Sequence, residues 1–178
     1  MKAIILLILA CFLWIGPTLK TAHAGDTAMP EIPHKTLVDE QILIGGQPSR
    51  DHLREAREAG IRTVVNLRGV DEFDAWAPSE VTSSLGMLYI HIPVAGSNDL
   101  DRPAVEAFDR AVAAAGDEPA LFHCASGNRV GAMFALRAGL LQDKSVEEAL
   151  TIGREHGLTG LEDTVREQLE SAASADEG

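Results

Sequence analysis

Cysteine is nearly absent: of 178 residues only Cys11 and Cys124 carry a thiol. That count excludes a disulfide framework and a cysteine-rich metal site. His34, His52, His91, His123 and His156 show none of the close pairing that ligates zinc, so no metal is expected. Glycine-rich nucleotide fingerprints of the dinucleotide or Walker type are missing, and no cofactor is implied. Basic charge is scarce as well. Fifteen Lys and Arg stand against 27 Asp and Glu, a net charge of −12 that repels nucleic acid and anionic lipid surfaces.

Long apolar runs are confined to the N-terminus. Lys2, an apolar stretch from Ala3 to Ile15, and the small-residue site Ala22-His23-Ala24 before Gly25 have the three-part layout of a secretory signal peptide. The stretch is about a dozen residues, short of the roughly 18 to 20 of a spanning helix. The expectation is a leader over 1–24, cleavage, and an exported protein, periplasmic or secreted, with no membrane association afterwards. Cys124 is then the one thiol left, and an unpaired thiol in an oxidising compartment asks for a reason.

The mature chain, roughly 150 residues, has the size of one domain. A flexible lead-in is expected over 25–34, a single monomeric domain over 35–170 and a disordered acidic tail over 171–178. Within the domain, short strands are predicted at Lys35–Val38 and Ile42–Ile44, then a helix over Arg50–Ala59 capped by Ser49. A strand over Ile61–Leu67, a helix over Pro78–Leu85, a strand over Met87–Val94 and a helix over Arg102–Ala115 follow. Ala120–His123 reads as a buried strand. Val130–Leu141 is apolar nearly all round, which marks a buried helix. Amphipathic helices are predicted over Val146–Glu155 and Leu161–Leu169.

Strands alternating with helices imply an α/β fold, a mostly parallel central sheet flanked by helices. Ligands bind such sheets at the carboxyl ends of the strands. Arg68, Asp99, Asp101 and Cys124 each follow a strand, so all four are expected to rim one crevice.

From Leu121 to Ala132 the chain reads strand, tight loop, helix. Small residues at Ala125, Ser126, Gly127 and Asn128 let backbone N–H groups turn inward, and the helix aims its positive end at the same point. Such surroundings lower a thiol pKa, to about 3.5 to 7.5 in known cases. Arg129 supplies a planar fork of donors for a tetrahedral oxyanion. From Pro119 to Gln142 there is no Asp or Glu, as either a buried core segment or an anion site requires. His123, by strand alternation, points away from the crevice, as a core histidine or a group that tunes the thiol. Ser126 either donates to the thiolate or completes the turn. Arg68 either neutralises substrate or pairs with Asp71 or Glu72.

Four segments in order, Ile44-Gly45-Gly46-Gln47-Pro48-Ser49, Val64-Val65-Asn66-Leu67-Arg68, Ile90-His91-Ile92-Pro93-Val94 and His123-Cys124-Ala125-Ser126-Gly127-Asn128-Arg129, resemble the cysteine-dependent protein phosphatases. The likeness is to small bacterial dual-specificity-like enzymes and to the phosphatase-like domain fused to β-lactamase-like hydrolases. It implies the single-domain cysteine-phosphatase fold, Cys124 as nucleophile and Arg129 with the loop 125–128 as the phosphate cradle. Asp99 is then the expected general acid, Asp101 the alternative, and the substrate a phosphorylated small molecule or protein.

The loop departs from that pattern. Four residues separate Cys124 from Arg129 where those phosphatases place five, and Val130 stands where a Ser or Thr follows. A six-residue loop of this form is similar to that of rhodanese-type sulfurtransferases, in which the cysteine carries a persulfide and the substrate is a sulfur-donor anion. A non-catalytic anion-binding module is the third reading.

Overall fold

The computed structural model describes residues 28–72 and 76–176. The expected leader and its cleavage site lie outside the described residues, and among these no helix is long and apolar enough to cross a membrane.

Two apolar sets alternate along the strands and place helices on both faces of one sheet. The strands are β1 (Thr36–Val38), β2 (Ile42–Gly45), β3 (Thr63–Asn66), β4 (Leu88–His91) and β5 (Ala120–His123), in the order β1-β2-β5-β3-β4. Only the β1–β2 pair is antiparallel. β5 therefore lies between two parallel neighbours, with Phe122 beside Ile44 and Val65. Every residue of β3 and β5 is buried, as a strand covered on both faces must be.

Leu43, Val64 and Leu121 belong to the smaller core, with Leu53 and Ala56 of α1 (Arg50–Glu58) and Val81 of α2 (Pro78–Ser84). Ile44, Val65 and Phe122 belong to the larger one, built with α3 (Arg102–Ala115), α4 (Asn128–Leu141), α5 (Val146–Glu155) and α6 (Glu162–Asp176). At its centre Phe108, Phe122 and Phe134 meet with ring centroids 5.6, 4.9 and 5.4 Å apart, offset and edge-on as aromatic quadrupoles prefer. α4 is buried along most of its length, and Gly131 lets it lie directly on the backbone of Gly153, Gly157 and Leu158.

Local chemistry sets the helix starts. Ser49 caps α1, its hydroxyl accepting from His52 N–H at 3.1 Å while His52 Nδ1 accepts from Ser49 N–H at 3.3 Å. Ser145 and Glu148 form the same reciprocal box on α5.

Three expectations change in detail. The lead-in is not loose over its described part: Ile32 is 4% exposed in the smaller core, and the Pro33 carbonyl accepts from Gly46 N–H at 2.7 Å. α4 begins at Asn128 rather than Val130, because Gly127 adopts the left-handed conformation (φ 87°) and turns the chain directly into the helix. The tail does not fray at Ser171. α6 continues to Asp176, where Ala172, Ala173 and Ala175 are strong helix formers.

Candidate active site

The parallel strands all end on one side of the sheet, and the segments leaving β2, β3, β4 and β5 converge there. The Cys124 N–H donates to the Gly45 carbonyl at 3.2 Å, which extends the β5–β2 ladder one residue and ends it at the thiol. Cys124 is 1% exposed. Its Sγ accepts from Gly127 N–H at 3.1 Å, so the loop folds back over the sulfur. Asn128 and Arg129 open α4, and their N–H groups are among the first four that a helix leaves without intrahelical acceptors. A bridge between Gly46 and Ser126 lays the segment after β2 along this loop.

Arg129 is buried. Its Nη1 and Nη2 donate to Glu72 Oε1 and Oε2 at 2.6 and 2.8 Å, and Nη1 donates to the Val94 carbonyl as well. Glu72 raises the Arg129 pKa against burial, with Cys124 adding to the effect. The Arg129 hydrogen bonds in turn hold Glu72 down to about 2, burial opposing and the Gly69 N–H assisting.

Arg68 comes to the same carboxylate. Its Nε lies 3.7 Å from Glu72 Oε2, and its Nη1 donates to Gln47 Oε1 at 2.7 Å. The Arg68 backbone is pinned at both ends: Asn66 Oδ1 accepts from its N–H at 2.8 Å, and its carbonyl lies 2.8 Å from His91 Nε2. Arg68, Arg129 and Cys124 are thus brought to one place.

Asp99 and Asp101 have structural work. Asp99 Oδ2 accepts from Ala95 N–H at 2.8 Å and Gly96 N–H at 3.4 Å, closing the loop that begins at Val94 beside Arg129. Asp101 accepts from Ala104 N–H at 2.9 Å as the N-cap of α3. Asp99 therefore stays on the loop bordering Arg129, whereas Asp101 is committed to its helix.

The other loop residues divide in the same way. Ala125 and Ser126 are exposed. The Asn128 side chain turns away from the thiol, its Oδ1 accepting from Thr159 N–H at 2.8 Å and Leu161 N–H at 3.4 Å. What Asn128 offers an anion is its backbone. His123 is fully buried on the face opposite the larger core, following Leu121, and neither ring nitrogen has a hydrogen bond. Burial, assisted by the charge of Arg68, pushes its pKa down to about 3, so it is neutral in the fold.

Glu72, Gln47 and the Val94 carbonyl did not stand out in the sequence as parts of this site. Glu72 was legible only as a partner for Arg68 four residues earlier. Among the described residues no group of three or more His, Cys, Asp or Glu is arranged to hold a metal. A groove of about 680 Å³, lined by Leu140, Lys144 and Leu169, lies at the far end of α4 from Cys124.

Comparison with known proteins bears on the family and the fold. The family model described as a DSP-PTPase phosphatase fused to NAD+ kinase matches residues 26–172. A β-lactamase hydrolase-like protein of Xylella fastidiosa is 27% identical over 124 residues, 67% of this chain. The chain spans 28% of the length of that curated relative. Two solved structures share the fold. A candidate phosphatase of Shewanella putrefaciens has a TM-score of 0.60 at 23% identity, covering 81% of this chain and 91% of its own. One from Neisseria meningitidis has 0.60 at 23%, covering 78% and 97%.

Proposed function

The chain belongs to the DSP-PTPase phosphatase family whose model it matches, and from that premise we propose that it is a cysteine-dependent phosphatase acting on phosphomonoesters through Cys124. One observation carries the reading: the Cys124 sulfur lies under the Gly127 N–H at the mouth of α4, with Arg129 held charged in the first turn of that helix. In the reaction Sγ attacks phosphorus and the P–O bond to the leaving group breaks. The loop amides and Arg129 hold the three equatorial oxygens. Asp99 gives its proton to the leaving oxygen, then accepts one from the water that attacks phosphorus of the phosphocysteine, breaking the S–P bond and returning the thiolate. The substrate is a phosphorylated small molecule or protein of the tyrosine or dual-specificity class. The N-terminal leader pattern supports action in the periplasm or outside the cell.

A second reading is favoured by specific features. The loop is six residues long, Val130 is fully buried where a hydroxyl would assist breakdown of the phosphoenzyme, and Asp99 and Asp101 both accept backbone N–H groups. Sulfur transfer needs no acid. Sγ attacks the outer sulfur of thiosulfate, the S–S bond breaks, sulfite leaves, and the Cys124 persulfide passes its sulfur to a second nucleophile.

Intact-mass measurement of the full chain after separate exposure to an aryl phosphate and to thiosulfate decides between them. Phosphate release that Cys124→Ser abolishes supports the phosphatase. A one-sulfur gain on Cys124, reversed by cyanide, supports the sulfurtransferase. Neither product, with retained phosphate binding, leaves an anion-binding module.

A further inference from the structure

We infer that Arg50, laid on the ring of Trp76, is a specificity-determining cation at the mouth of the crevice, selecting phosphomonoesters whose remaining part carries a second negative charge. The inference rests on the phosphatase reading and adds the class of substrate.

β5, which leads into Cys124, lies between β2 and β3. α1 and α2 follow those two neighbours and pack on one face, in the smaller core, so both helices begin on the side where the parallel strands end. Adjacent strands are about 4.8 Å apart, which sets β2 and β3 about 10 Å from each other. Two contacts bridge that gap past the end of β5. Close to the strands, Arg68 Nη1 donates to Gln47 Oε1 at 2.7 Å. Farther along the same two segments, the Arg50 guanidinium lies over the Trp76 ring, 5.5 Å from its centroid. Arg50 opens α1, and Trp76 stands two residues before α2. Gly46 bridges Ser126 of the catalytic loop, and Arg50, four residues on, is at most about 14 Å of chain from that bridge.

Arg50 stands against its local electrostatics. The first residue of a helix sits at the positive end of the dipole, where a cation is disfavoured. Arg68 and Arg129 share Glu72, so their charges are answered within the fold. That of Arg50 is not: it is exposed, it makes no ion pair or hydrogen bond among the described residues, and the neighbouring Asp51 pairs with Arg54. Trp76 is half-buried against the smaller core, which fixes the platform. A ring face engages the plane of a guanidinium and leaves its N–H donors for a carboxylate or phosphate.

The test measures kcat/KM of the full chain on two matched pairs of substrates. One pair is phosphotyrosyl peptides with Glu or Gln two residues after the phosphotyrosine; the other is fructose 1,6-bisphosphate and fructose 6-phosphate, counted per phosphate group. Wild type favours the more highly charged member of at least one pair about fivefold, the scale of one exposed cation–anion contact. The pair that shows the preference tells whether the second charge belongs to a peptide or to a small molecule. Arg50→Gln brings that ratio to about one, and Arg50→Lys restores part of it. Trp76→Leu keeps the cation without its platform and lowers the ratio as well. Where Arg50→Gln does not fold, Trp76→Leu serves, and an unchanged ratio there contradicts the inference. Equal rates within both pairs, or a preference that survives Arg50→Gln, overturn it. Turnover of none of the four compounds is a failure of the phosphatase reading itself, distinct from that of Arg50, and the inference falls with it.

Discussion

Gly46 and Ala125 meet beside the thiol: a β-carbon at residue 46 would stand 2.6 Å from the Ala125 carbonyl oxygen. The segment after β2 is thereby pressed against the loop that carries the chemistry.

Gly46→Ala should displace that loop, since the obstruction is backbone. Reaction at Cys124, by whichever substrate turns over, is expected to fall on the order of 100-fold, as sub-ångström to 1 Å misplacements do. Circular dichroism should remain that of the folded chain. Undiminished turnover would show that the loop tolerates the shift.

Gly131→Ala acts on stability. Its β-carbon would lie 2.1 Å from Leu158 N and 2.7 Å from both Gly153 O and Gly157 C, forcing α4 away from the end of α5. Overpacking of this kind costs about 1 to 3 kcal/mol. A drop of several degrees in thermal midpoint is expected by calorimetry, and an unchanged midpoint contradicts the packing.

Asp99→Asn and Asp101→Asn separate the two acids under the phosphatase reading. Asn caps a helix about as well as Asp, so Asp101→Asn should leave both stability and turnover close to wild type. Asp99→Asn should slow hydrolysis of esters with poor leaving groups about 100-fold and of nitrophenyl phosphate far less. The reverse pattern would move the acid to Asp101.

Acid should destabilise the fold in two stages. His123 binds its proton near 6.5 when unfolded and near 3 when folded, so the unfolded chain gains protons that the native state refuses as pH falls below 6.5. Glu72, held at about 2 against 4.5, contributes stability above pH 4.5 that is lost between 4.5 and 2. Urea midpoints are expected to be level near neutrality and to decline from about pH 6.5, with a slope of up to about 1.4 kcal/mol per pH unit from His123. In His123→Leu the decline below pH 6.5 should become shallower, the remainder coming from His156, whose pKa burial also lowers. An unaltered upper stage would mean that another group carries it.

The largely parallel sheet, the buried central helix and the loop from Cys124 to Arg129 were legible because each is written in adjacent residues. Apolar runs of strand length, a Ser before a helix, and small residues between a strand and an apolar helix act over a turn or less of chain. Such patterns are less exact at the edges. β3 occupies Thr63–Asn66 and β4 Leu88–His91, both shorter than their apolar runs, although Leu67 N–H and Ile92 N–H still donate to the His123 and Asn66 carbonyls of the neighbouring strands. The extension of α6 past Ser171 escaped notice because small and acidic residues read alike in a frayed end and in an alanine-rich helix.

Local sequence was enough to name the thiol, its loop and its arginine, since these stand within six consecutive positions and their chemistry depends on type and spacing. It could not say which carboxylate faces that arginine. Asp71, Glu72, Asp99 and Asp101 are equivalent as letters. Only the convergence of four strand ends sets Glu72 on Arg129 across 57 residues, Gln47 on Arg68 across 21, and the Val94 carbonyl on Arg129 across 35. Distances between segments are properties of the packed sheet, and no pattern within one segment encodes them.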